Sequence, residues 1–218
     1  MKHYILFLLL ASTFWCCSND EDVVPSNNDR NMFDMPDFSS EEEMKVRRDF
    51  YDATSCYLIF NDSLYYRNIT TPSGSDPECV ILDLKYQVKG TSEDALLRYT
   101  YLKDMKDKEL AAKFAKEKIL PRLAPAFYPY TFFMVDQFYI SKASAWSSGY
   151  DPEVEQSAYA GYNASLVAYK HFYDMDEAAQ YAYSRSVIAI LMTKNYTQVK
   201  DSEYNDFYQY SQEQYGIY

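Results

Sequence analysis

The spacing of apolar residues changes period along this chain, from helical to alternating and back, so neither an all-helical nor an all-strand fold can accommodate it. In "CVILDLKYQV", Val80, Leu82, Leu84, Tyr86 and Val88 fall on one face and Asp83, Lys85 and Gln87 on the other, the pattern of a half-exposed strand. In "DKELAAKFAKEKIL", Leu110, Ala111, Phe114, Ala115 and Ile119 make a stripe at helical spacing, Glu109 supports Lys113 one turn on, and Pro121 marks the end.

The other segments sort by the same rule. "SSEEEMKVRRDFYDA" predicts a helix, with Ser40 and Glu43 at capping-box spacing and Met44, Phe50 and Tyr51 on its apolar side. "CYLIFND" reads as a short buried strand and "SLYYRNITT" as its partner after a turn, with "PSGSDPE" as a loop. "SEDALLRYTYL" reads as a further helix, "TFFMVDQFYI" and "YAGYNASLVAY" as strands, and "SKASAWSSGYDPEVEQ" as the loop between them. Asp174 and Glu177 form a second capping-box pair before "AAQYAYSRSVIAILMTKN", where Val187 to Met192 is apolar on every side and predicts a helix running into the core. "SEYNDFYQYSQEQYG" closes the chain as a last helix. Helices and strands in this mixture, with no repeat, imply an α+β domain over residues 40–218, with a mixed or antiparallel sheet and flanking helices.

Residues 1–16 have the form of an export leader, in which Lys2 is followed by an apolar run from Ile5 to Trp15 that is too short to span a bilayer. The adjacent Cys16 and Cys17 follow that run. Cys17 is the expected lipidation site, with Cys16 as the alternative, and a simple secretory signal or uncleaved anchor is the competing reading. Residues 17–39 open with "SNDEDVVPSNNDRN" after Cys17, too polar to bury a core, and read as a disordered acidic tether. Acid-rich residues directly after a lipidated cysteine resemble the surface-export signal of lipoproteins from Gram-negative bacteria with Sus-type glycan importers. The expected location is therefore the outer membrane, at the cell surface or on the periplasmic face.

Charge and residue usage exclude several functions. A formal net charge of −11 argues against a nucleic-acid partner, because a phosphate backbone requires clustered Lys and Arg. His171 is the only histidine outside the leader, so the paired-histidine zinc motif cannot form; a serine triad would have to use His171 and no Gly-x-Ser-x-Gly elbow is present, Cys56 and Cys79 lie in apolar strand starts and not at a helix N-terminus, and no cofactor is expected. His171 reads as a loop residue. Outside the cytoplasm Cys56 and Cys79 could form a disulfide if their strands were neighbours; two isolated cysteines are the alternative. The 24 tyrosines suit half-exposed sheet positions and wet binding surfaces alike. In the loop "ASAWSSGYDPE", Trp146 and Tyr150 are candidates to stack on a sugar ring or an aromatic side chain, against the plainer reading that Trp146 plugs the core edge.

"KILPRLAPAFYPYTFFMVDQFYI", "SAYAGYNASLVAY" and the long helix after them resemble zinc-binding metallopeptidase lipoproteins encoded beside Sus-type glycan importers, as does "VRRDFYDATSCYLIFND" nearer the start. The resemblance implies a zincin-like arrangement, with partners among outer-membrane importer components. It also implies a loss: aligning "RSVIAIL" with the family's His-Glu-x-x-His-Ile-Leu puts Arg185 and Ala189 at the ligand positions and Ser186 at the general base. On this reading the chain is a non-catalytic binding or accessory lipoprotein of glycan or peptide uptake, with a hydrolase of that family, or one acting through carboxylates, as the alternative.

Overall fold

The computed structural model describes residues 31–33, 39–71, 74–86, 95–144 and 148–198. Helix α1, Glu41–Thr54, starts where the Ser40 hydroxyl accepts from Glu43 N–H at 3.2 Å, and ends at Ser55, whose left-handed backbone (φ 58°) lets its N–H return to Tyr51 O. The helix buries Glu43, Arg47 and Phe50, whereas Tyr51, expected on the apolar side, is exposed. Arg47 ties the helix to the strand that follows it by donating through Nε to Leu58 O at 2.7 Å.

Strand β1, Tyr57–Ile59, follows directly, then β2, Ser63–Thr71, and β3, Gly74–Ile81. β2 pairs with β3 as an antiparallel hairpin instead of with β1, and β3 takes in most of the "PSGSDPE" segment expected to be a loop. The alternating run "CVILDLKYQV" leaves the ladder at Ile81, yet Leu82 and Leu84 stay buried beyond it and Asp83 exposed. Burial alternates there without sheet hydrogen bonding, and Tyr86 turns outward.

β4, Ala95–Thr100, falls where the sequence suggested a helix. Its Leu97 and Tyr99 lie opposite Ile140 and Phe138 of a later strand, and that pairing outweighs a local preference worth only tenths of a kcal/mol per residue, about 0.7 at most. Helix α2, Met105–Phe114, matches its expected stripe and continues through a π-helical turn, Ala115–Ile119, and a 3₁₀ turn, Leu120–Arg122, that holds Pro121. β5, Thr131–Val135, and β6, Gln137–Lys142, replace the single strand expected over "TFFMVDQFYI". At Asp136, whose N–H donates to Thr100 O at 2.8 Å, the chain passes from one sheet to another. β7, Val154–Glu155, lies within the expected loop; β8, Ala158–Ala160, and β9, Ser165–Ala168, form the next antiparallel pair.

Helix α3, Glu177–Gln198, completes the described chain. Its cap is Asp176, which accepts from Ala179 N–H at 2.8 Å, and not the expected Asp174, which sits in a preceding 3₁₀ turn. Val187 and Leu191 are buried but Ala189 and Met192 are exposed, so the helix lies along the core and is not enclosed by it. The last expected helix, residues 202–216, lies outside the described residues.

The main sheet has the order β1-β5-β9-β8, with β1, β5 and β9 parallel. β5 is buried at every position, as central parallel strands are. Phe132 and Met134 face one cluster with Phe50, Phe114, Val187 and Leu191 from the three helices. Phe133 and Val135 face another with Leu64, Leu82, Leu84 and Phe138, under the smaller sheets β2-β3 and β4-β6-β7. The result is an α+β fold with helices on one side of a mixed sheet and antiparallel strands on the other.

Candidate functional site

Parallel strands bring like ends together. At the amino-terminal edge Tyr57 opens β1 opposite Thr131 of β5, and Tyr57 N–H donates to Tyr130 O at 2.9 Å. That pairing brings the two side chains together, with tilted rings 5.2 Å apart between centroids. Tyr51, at the end of α1, lies 4.6 Å from Tyr57. Beneath them Phe33 is buried, with its ring edge-on to Tyr130 at 5.6 Å.

Beyond Tyr130 a cleft of about 220 Å³ opens, lined among others by Phe127, Tyr128, Pro129, Gly161 and Tyr162. Gly161 fixes the turn that carries Tyr162. A Cβ there would collide with Ala164 O and stand 2.8 Å from Leu84 O, so only glycine permits this close approach. Tyr162 in turn meets Tyr86 edge-on, 6.0 Å between centroids. The sequence Tyr51, Tyr57, Tyr130, cleft, Tyr162, Tyr86 therefore forms one row along the edge. Four of its members are exposed to solvent, Tyr51 40%, Tyr130 54%, Tyr162 51% and Tyr86 46%, while Tyr57 between Tyr51 and Tyr130 is half-buried. Such rings offer apolar faces for stacking and phenolic groups for hydrogen bonds.

The opposite, carboxyl-terminal edge is polar. Asp62, Asp136 and His171 follow β1, β5 and β9. Lys170 and His171 both adopt φ of 47°, an uncommon conformation for non-glycine residues. His171 Nε2 lies 3.7 Å from Asp136 Oδ1, and Nδ1 lies 4.0 Å from both Asp107 and Asp174 carboxylates. Tyr99 O–H donates to Asp62 at 2.8 Å; burial and that bond hold its phenol well above the usual range, and the same causes push Tyr101 up to about 12. Among the described residues, no serine or cysteine hydrogen-bonds His171 to complete a nucleophilic set, and no three of His, Cys, Asp and Glu are placed to hold a metal ion. This edge can position a proton donor and acceptor and carries little else.

The residues singled out in the sequence are scattered. Cys16, Cys17 and Trp146 lie outside the described residues. Tyr150 is exposed and bridges to Ala143 where β6 leads toward β7, on a different sheet from the tyrosine row. Cys56 and Cys79 are free thiols, because β1 pairs with β5 and β3 with β2, so their strands are not neighbours. Burial raises the Cys56 thiol above its ordinary value, with Thr54 pulling weakly the other way. Arg185, Ser186 and Ala189 are exposed on α3, with Arg185 over the Tyr181 ring and Ser186 Oγ 2.8 Å from Ser157 Oγ. His171 is a turn residue.

Sequence reasoning did not single out the row. Alternation puts Tyr86 on the apolar face of "CVILDLKYQV", Tyr57 lies inside the short run "CYLIFND", and Tyr130 ends the proline-rich segment before "TFFMVDQFYI". Their juxtaposition depends on the parallel register, which no local pattern encodes. No protein-family description, curated protein or solved structure matches this chain.

Proposed function

We propose that this protein is a lipid-anchored outer-membrane binding protein, an accessory of nutrient uptake that holds a glycan or peptide on its tyrosine row. The observation that carries this reading is the row itself, an aromatic surface exposed along one sheet edge and braced from behind by Phe33 and the Gly161 turn. Surface-exposed apolar patches of this kind are common interaction sites. Anchoring through Cys17 is supported by the sequence, in which Lys2 and an apolar run to Trp15 precede the cysteine pair and an acidic segment follows it.

The binding reading is tested with glycan and peptide arrays probed by wild type, Tyr130→Ala and Tyr162→Ala. Equal signals from all three reject the row. Anchoring is tested by palmitate labelling in cells, which Cys17→Ser should abolish and Cys16→Ser should leave in place.

A second reading, a hydrolase working through carboxylates, is favoured by His171 beside Asp136 and Asp107. Turnover of a peptide or polysaccharide that His171→Ala removes and Tyr130→Ala spares would support it over the first.

A further inference from the structure

We infer that the tyrosine row takes an uncharged polysaccharide, gripped along its length and not by a chain end. This rests on the reading of the row as the binding site and adds the class of ligand and its mode of binding.

Charge selects the class. Among the described residues, those lining the central cleft are aromatic, aliphatic, glycine, proline or serine, so none of them offers a cation to a uronate, sulfate or phosphate group or a carboxylate to an amine. The chain's net charge of −11 further repels polyanions. What remains is a neutral ligand with apolar faces and hydroxyls, which a pyranose supplies: C–H faces stack on the rings while phenolic and main-chain groups meet the hydroxyls.

Geometry selects the mode. The outermost members, Tyr51 and Tyr86, are exposed at 40% and 46%, so among the described residues neither end of the row is closed over by burial and a chain can run past both. Successive rings are tilted, by 33° between Tyr51 and Tyr57 and by 54° between Tyr57 and Tyr130. Tilted faces follow a chain that twists from unit to unit, whereas the flat surface of a crystalline polymer would need coplanar rings. A peptide added as an extra strand would run along a sheet edge, but this row crosses strand ends. Bracing by Phe33 and the Gly161 turn limits the ordering cost on binding.

The test is affinity electrophoresis and calorimetry of the full chain against soluble neutral polysaccharides (a β-glucan, an α-glucan and a mannan), a polyuronate and a proline-rich peptide. At least one neutral polysaccharide should bind. Tyr130→Ala and Tyr162→Ala should each weaken it about two- to tenfold, the equivalent of one aromatic contact, while Tyr130→Phe retains most of the affinity. Oligosaccharides of that glycan should bind more tightly with length and equally well after chemical reduction of their ends. Preference for the polyuronate or the peptide, with the same alanine sensitivity, overturns the ligand class and leaves the row as a site. Loss of affinity on reducing the chain end overturns the mode. Glycan binding untouched by both alanine variants, in proteins that melt normally, overturns the row itself.

Discussion

Lys108 on α2 reaches Glu43 on α1 with its ammonium 2.6 Å from the carboxylate, and Arg47 stands on the other side of the same group at 4.0 Å. All three side chains are largely buried, so this network fastens the two helices together by charge in an otherwise apolar layer. Removing Glu43 leaves two buried cations facing each other. Glu43→Ala should cost about 3–5 kcal/mol, the penalty of breaking a buried pair from one side. Lys108→Met, which leaves Arg47 with its partner, should cost clearly less. Urea denaturation of both variants checks the order; equal losses would mean the carboxylate is not shared.

The core and the candidate site should separate in stability. Phe132 is fully buried between helices and sheet, and Phe132→Ala should destabilise by about 3–5 kcal/mol through lost burial and a residual cavity. Tyr130→Ala removes ring contacts with Phe33 and Tyr57, worth about 0.5–1.5 kcal/mol each, from a side chain that is half in solvent. Thermal melts of the two variants give the comparison, and a Tyr130→Ala loss as large as that of Phe132→Ala would make the row part of the core.

Gly161→Ala should both destabilise and displace. The added methyl meets two carbonyl oxygens that belong to the main chain and cannot swing aside, so overpacking of about 1–3 kcal/mol is expected. Because the turn carries Tyr162, its ring contact with Tyr86 should be disturbed as well, which ring-current shifts in NMR spectra would register.

Alkaline pH should loosen the fold through Tyr99 and Tyr101. Burial first, and the bond to Asp62 second, raise both phenols, Tyr101 to about 12 from an ordinary 10. The folded state then holds protons that the unfolded state gives up. Their contribution is fully present below pH 10 and is lost as pH rises toward 12. Melting temperature should fall across that window, with Tyr101 forming its phenolate in the folded protein only near pH 12, and the fall should shrink in Tyr101→Phe. A flat profile would contradict the raised values.

The α+β class and helices α1 and α2 were legible because each rests on spacing within a single segment: Ser40 before Glu43, or the stripe from Leu110 to Ile119. Tyr57, Tyr65, Tyr99, Tyr139 and Tyr159 are half-buried strand residues, in line with the plainer reading of the tyrosines. What failed depended on distant partners. "ALLRYT" is a strand because β6 lies beside it, and the carbonyl-to-amide bond that takes the chain out of β5 at Asp136 joins residues far apart in sequence. The cap of α3 moved by two residues, since Asp174 and Asp176 are chemically alike and only the path of the preceding turn chooses between them. The tyrosine row was hidden for the same reason as β4: parallel pairing of β1 with β5 joins residues more than seventy positions apart.

Since β5 sends alternate side chains into both apolar clusters, neither layer can melt while the other stays whole. Unfolding should then be a single cooperative event, with the amides of Phe132 to Val135 the last to exchange with deuterated solvent. The aromatic edge begins one residue before that strand, at Tyr130, and so inherits its stiffness from the part of the molecule that opens least often.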